Sequence, residues 1–81
     1  MAPISIDDDV LALRRRIGET IRHLREQRGV SQEQFAELTG HHRTYIGFLE
    51  RGERTPNVAT LQRVAAALQM KLSELLDRAG L

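Results

Sequence analysis

The stretch GVSQEQFAELTGHHRTYIGFLERGER, residues Gly29–Arg54, decides how this chain folds. Ser31 with Gln34 three positions on is a capping box, each side chain bonding the other's backbone N–H, so a helix starts there. Phe35, Ala36 and Leu38 are its inward positions, and Gly40 ends it. The next helix runs from about His42 to Arg51, with Ile46 and Leu49 inward and Gly52 as the stop. Arg43, Thr44 and Tyr45 stand in a row near its start. Two short helices about a glycine turn, the second opening on such a row, are what a helix-turn-helix needs. One helix then seats against a duplex while the next lies in the major groove. DNA binding is the first expectation.

Upstream, Val10, Leu13, Ile17, Ile21 and Leu24 recur at spacings of three and four, an apolar stripe on a first helix that Gly29 stops. A start near Asp7 sets Asp7 to Asp9 at the positive end of that helix and Arg25 and Arg28 near its negative end. The alternative is that residues before Arg14 form a loose arm. Downstream, Glu53 to Pro56 form a loop and Asn57 is a good N-cap for a fourth helix. Leu61, Val64, Ala65 and Leu68 give that helix its buried face. A short fifth helix covers about Leu72 to Ala79, with Leu72, Leu75 and Leu76 apolar. No strand alternation, internal repeat or low-complexity segment interrupts the helical pattern. The expected fold is a compact all-α domain of five helices. Residues 1–12 are an N-terminal arm or the start of the first helix, and residues 13–81 the DNA-binding domain with a C-terminal dimerisation helix. Two junctions break local rules. Gln69 stands where a glycine closes a helix best, and Lys71 where a side-chain oxygen caps one best.

With 81 residues the chain is one small domain, and its 41% hydrophobic residues suffice for a core of Leu, Ile, Val and Ala. Without cysteine there is no disulfide or cysteine-ligated zinc. No apolar run approaches the roughly 20 residues that span a bilayer. The opening residues lack the basic and apolar regions of a secretory signal. The expected address is the cytoplasm, with no membrane partner. A net charge of +1 does not by itself announce nucleic acid. Its distribution says more: Arg14, Arg15, Arg16, Arg22, Arg25 and Arg28 face only Glu19 and Glu26. That is either a solvated helix face or a phosphate-facing surface. His23, His41 and His42 lack a carboxylate or cysteine at ligand spacing, so no metal is expected. No Ser/His/Asp set, paired carboxylates or phosphate-cradling glycine loop points to catalysis. Neither enzymatic activity nor a cofactor is expected.

Ser31-Gln32, Phe35-Ala36, Gly40, Tyr45-Ile46, Leu49-Glu50-Arg51-Gly52, Pro56, Leu61 and Ala65 through Leu75 together resemble the phage-repressor/Cro-type (Xre) helix-turn-helix family. The likeness covers about Ile17 to Leu76. Within it, His42-Arg43-Thr44-Tyr45-Ile46-Gly47 looks most like the controller proteins of restriction–modification systems, which are small homodimeric transcription regulators. Two positions depart from the pattern. His41 replaces the apolar residue usual after the turn glycine, and His42 stands at a helix cap where many relatives have serine or threonine.

The resemblance implies a repressor-like domain and a division of labour. Arg43 is placed to meet guanine O6 and N7 with its guanidinium, with a phosphate contact as the runner-up. Thr44 bonds a base or touches a thymine methyl. Tyr45 packs its ring on the scaffold and sends its hydroxyl to a phosphate. Gly47 lets the helix approach closely. Phe48 meets a thymine methyl or folds back onto the core. Gln32, His42, Arg51, Arg54, Thr55 and Asn57 are the implied phosphate contacts. Gln32 also braces the next helix, and Glu50 and Arg51 are structural or backbone-directed. Leu72, Leu75, Leu76 and Leu81 are the expected homodimer surface. The partners are an operator of two half-sites and a second copy of the chain, with RNA polymerase or a toxin left open. Two rival readings remain: an antitoxin-type autorepressor, and a protein-interaction adaptor that binds no DNA.

Overall fold

Ser31, Asn57 and four glycines set the punctuation of the fold. In the structure, a computed structural model that describes residues 6–81, the helices are α1 Ile6–Gln27, α2 Gln32–Thr39, α3 Arg43–Glu50, α4 Val58–Ala67 and α5 Leu72–Arg78. The all-α, five-helix expectation holds. Residues 8–12 continue α1 without a break, so this part of the expected arm is helical; residues 1–5 lie outside the described residues. The Ser31 hydroxyl accepts the Gln34 N–H at 3.1 Å while the Gln34 side chain accepts the Ser31 N–H at 2.9 Å, completing the capping box. Asn57 caps α4 by accepting the Thr60 N–H at 2.8 Å. Lys71 has no acceptor to offer and makes no side-chain cap bond. The Glu74 carboxylate supplies half of a box, accepting the Lys71 N–H at 3.2 Å.

Phe35, Ile21, Ile46, Leu49, Leu68, Leu75 and Val64 are the largest fully buried side chains, with at least one from each helix and Leu68 from the cap that ends α4. The core thus lies where all five helices meet. The stripe on α1 is buried only from Ile17 onward: Val10 is half-buried and Leu13 is 38% exposed. The expectation for Leu38 fails outright, for it is 61% exposed. At about 100° per residue, Phe35, Ala36 and Thr39 share the inner face of α2, and Leu38 falls nearly opposite Ala36. Thr39 can be buried there because its hydroxyl bonds the Ala36 carbonyl at 3.1 Å.

α1 crosses α3 at Gly18. A Cβ at that position would stand 2.4 Å from the Leu49 carbonyl oxygen and 2.6 Å from that of Glu50. Only glycine permits so close a crossing. It fixes α1 against the end of α3, which is the frame on which the candidate interface is built.

Candidate nucleic-acid interface

α3 begins with two histidines that take different roles. His42 is the N-cap, its Nδ1 accepting the Thr44 N–H at 3.1 Å. With Nδ1 as acceptor, the neutral ring carries its proton on Nε2, which leaves a donor. His41 stacks on the Tyr45 ring, centroids 4.8 Å apart and planes 27° from parallel. This contact replaces the apolar packing expected after the turn glycine, but it leaves His41 Nε2 shielded and without a partner. Tyr45 is half-buried against the core. Arg43 and Thr44 are exposed. The Arg43 guanidinium, 62% exposed, reaches back across the turn to the Glu33 carboxylate at 2.9 Å. Such an exposed pair is worth at most about 1 kcal/mol, so an arriving acceptor can displace it.

Beneath this surface lies a buried ionic knot. Arg25 Nε donates to Glu50 Oε2 at 2.6 Å and Arg25 Nη2 to Glu50 Oε1 at 3.0 Å, a two-pronged pair. Arg25 Nη1 also donates to the Val30 carbonyl at 2.8 Å. Gln32 Nε2 donates to the same Glu50 Oε1 at 3.0 Å. The end of α1, the start of α2 and the end of α3 are therefore tied through one carboxylate. The hydrogen bond with Glu50 raises the Arg25 pKa above its ordinary value, outweighing desolvation. Gln32 braces α3, and of the two courses open to Glu50 the structure shows the structural one. Arg25 was missed as their partner. Its place beside Leu24, on the edge of the apolar stripe, was the available signal.

At the far end of α3, Phe48 follows neither expected course alone. Its half-buried ring carries the Arg51 guanidinium 5.4 Å from its centroid and the Arg54 guanidinium at 5.1 Å. Both are cation–π contacts. Arg51 also donates to Glu53 at 2.8 and 3.4 Å. This hydrogen bond holds the Glu53 carboxyl below the usual carboxylate range and raises the Arg51 pKa. Gly47 is buried: a Cβ there would meet Arg51 Nη1 at 3.0 Å, so its missing side chain makes room first for Arg51. Thr55 accepts a long bond of 3.4 Å from Arg14 Nη1. The Asn57 oxygen is taken by its cap, which leaves the amide nitrogen.

The expected dimer residues divide. Leu75 is 1% exposed, held in the core of its own chain, and presents no surface to a partner. That corrects the expectation, because the inner face of α5 has to close the domain before any outer face can meet a copy. Leu72 and Leu76 are partly buried against the same core, and Leu81 is 49% exposed. Among the described residues no three His, Cys, Asp or Glu side chains group to hold a metal, and no helix is long and apolar enough to cross a membrane.

The structure thus gathers His42, Arg43 and Thr44 at the start of α3, and Phe48, Arg51 and Arg54 about its end, with Gln32 held against Glu50. Residues 21–75 match the helix-turn-helix family. The chain is 46% identical over 65 residues to the control protein C.SmaI of Serratia marcescens, an alignment covering 80% of this chain and 77% of that protein. Among solved structures it is similar to the restriction–modification controller protein C.AhdI from Aeromonas hydrophila, with a TM-score of 0.74 and 35% identity over 84% of this chain and 97% of that one. It is also similar to the clp gene regulator ClgR from Corynebacterium glutamicum, with a TM-score of 0.80 and 29% identity over 84% of this chain and 72% of that one.

Proposed function

The chain belongs to the helix-turn-helix family, and we propose that it is a sequence-specific, homodimeric DNA-binding transcription regulator of the restriction–modification controller kind. The observation that carries this reading is the start of α3, where Arg43 and Thr44 are exposed above a scaffold immobilised by the Arg25–Glu50–Gln32 knot. An adaptor has no need of a guanidinium held at the mouth of a rigid helix. A DNA reader does, because a two-pronged bond to a guanine edge demands a fixed approach. The likeness to C.SmaI and C.AhdI supports the controller assignment.

In this reading α3 lies in the major groove, with Arg43 and Thr44 on base edges. Gln32 and the His42 Nε2 donor grip the backbone on one side, and Arg51 and Arg54 grip it on the other. Two subunits, joined through the outer side of α5 at Leu72, Leu76 and Leu81, read two half-sites about one helical turn apart.

The test is footprinting on the DNA upstream of the chain's own gene, beside a salt series on random duplex. Protection of two half-sites and a steep salt dependence are expected. Arg43→Ala should lose about 1–3 kcal/mol per half-site on that operator and much less on random DNA. Binding to random duplex that is absent at low salt would return the protein to the adaptor class.

A further inference from the structure

We infer that Arg14, on α1 and outside the residues that match the family, is a ligand for a backbone phosphate of the bound duplex. The inference rests on the DNA-binding reading above and extends its footprint to the first helix. Three other arginines of α1 have a carboxylate or carbonyl partner. Arg16 donates to the Gly80 carbonyl at 2.9 Å, Arg22 pairs with Glu26 at 3.6 Å, and Arg25 is locked to Glu50. Arg14 is different. Its one hydrogen bond is the 3.4 Å contact from Nη1 to the Thr55 hydroxyl, near the limit of a real bond. Its Nε is shielded from solvent and has no acceptor. Among the described residues no carboxylate pairs with it.

No carboxylate among the described residues neutralises this cation, and its Nη end lies at the surface. A group that suits it accepts from a guanidinium and carries negative charge, which is the chemistry of a phosphodiester. Place agrees with chemistry. Arg14 bonds Thr55, the residue after Arg54, in the loop that follows α3. α1 is pressed onto that loop, because a Cβ at Gly52 would stand 2.9 Å from Arg15 Cα. The Arg14 head group therefore lies against the loop that carries Arg54. The half-buried stem of Arg14 already holds the head group near its target, so little side-chain freedom remains to be lost. Giving up a single long bond to a neutral hydroxyl costs little, and the exposed Nη end gains charge-assisted bonds in its place.

The test compares the salt dependence of binding to a random-sequence duplex for the wild-type chain, Arg14→Gln, Arg14→Lys and Arg54→Ala. Arg14→Gln should make the slope of log K against log salt shallower by about one unit per bound subunit. Arg14→Lys should restore most of it. A wild-type slope in Arg14→Gln, alongside a shallower one in Arg54→Ala, overturns the inference and leaves the DNA-binding reading intact. Binding by the wild-type chain that ignores salt overturns both. A second measurement needs no neutral variant to fold. The Nε–H NMR signal of Arg14, assigned with Arg14→Lys, should shift when the wild-type chain is titrated with the duplex. A signal that stays in place at saturation also overturns the inference.

Discussion

α2 and α4 end in the same way, bond for bond, with different residues. At the end of α2, Gly40 N–H meets the Glu37 carbonyl at 3.3 Å and His41 N–H the Ala36 carbonyl at 3.0 Å. At the end of α4, Gln69 N–H meets the Ala66 carbonyl at 2.9 Å and Met70 N–H the Ala65 carbonyl at 3.0 Å. Both are Schellman endings, which place one residue in the left-handed region. Gly40 has φ 75° and Gln69 φ 59°. A side chain at such a φ costs roughly 1–2 kcal/mol. The turn between α2 and α3 avoids that cost, and the turn into α5 carries it, directly before the uncapped Lys71. This chain concentrates its directional bonds around α2 and α3. The α2–α3 unit has a complete capping box, a glycine ending and the ionic knot. α4 and α5 join through burial of Leu68 and Leu75, which is strong but indifferent to angle.

The largest effect should come from breaking the unit that is fixed by bonds. Glu50→Ala leaves the Arg25 guanidinium buried without its carboxylate and frees Gln32. A loss of about 3–5 kcal/mol is expected, read by urea or thermal unfolding. If the loss stayed below about 1 kcal/mol, the knot would not be what holds α2 to α3. Next in size is Gly40→Ala, which imposes on α2 the strain that α4 already bears. It should cost about 1–2 kcal/mol, or roughly 4–16 °C in Tm for a domain of this size.

Most of this architecture is legible in local sequence. Ser31 with Gln34, Asn57, and the glycines after α1, α2 and α3 each act through neighbours a few residues away, so their spacing suffices to place the helices. Gln69 was readable as an anomaly for the same reason. What escaped was non-local or angular. Arg25 and Glu50 lie 25 positions apart, and no local pattern joins them. Leu38 stands three positions after Phe35 yet nearly opposite Ala36, so its side depended on which angle of α2 meets the core, and Leu75 is covered only because α5 packs on the rest of the domain. Phe48 was ambiguous because its cover is supplied by Arg51 and by Arg54 from the following loop. The exposure of Arg43 and Thr44 was legible in the helical period, whereas the contacts that preset the side chains of Arg43, Arg51 and Arg54 were not.

The other side of the comparison can be sharpened by repairing it. Gln69→Gly should stabilise the domain by about 0.5–1 kcal/mol, the relieved strain less the added chain entropy of glycine. Hydrogen exchange of the α5 amides should slow with it, because the repair tightens the turn on which α5 depends.

Lys71→Ser is the smallest and most local repair. Its value lies in acting on α5 without touching the Gln69 backbone. The Glu74 carboxylate already accepts the Lys71 N–H at 3.2 Å, so serine would complete a reciprocal box with the Glu74 N–H. The full cap is worth about 0.5–2 kcal/mol in an ordinary helix. The lower end, about 0.5 kcal/mol, is expected here because α5 has only 7 residues and position 71 is exposed. Removing the positive charge from the positive end of the helix works in the same direction. The gain should appear in unfolding and should add to that of Gln69→Gly only in part, since both repairs act on one turn. DNA affinity should stay unchanged at protein concentrations where the dimer is saturated, because α5 is remote from the start of α3. A gain in affinity confined to dilute protein would place the benefit in subunit pairing through Leu72 and Leu76. An unchanged melting temperature would mean that burial of Leu75 alone already holds α5, and that its end never frays.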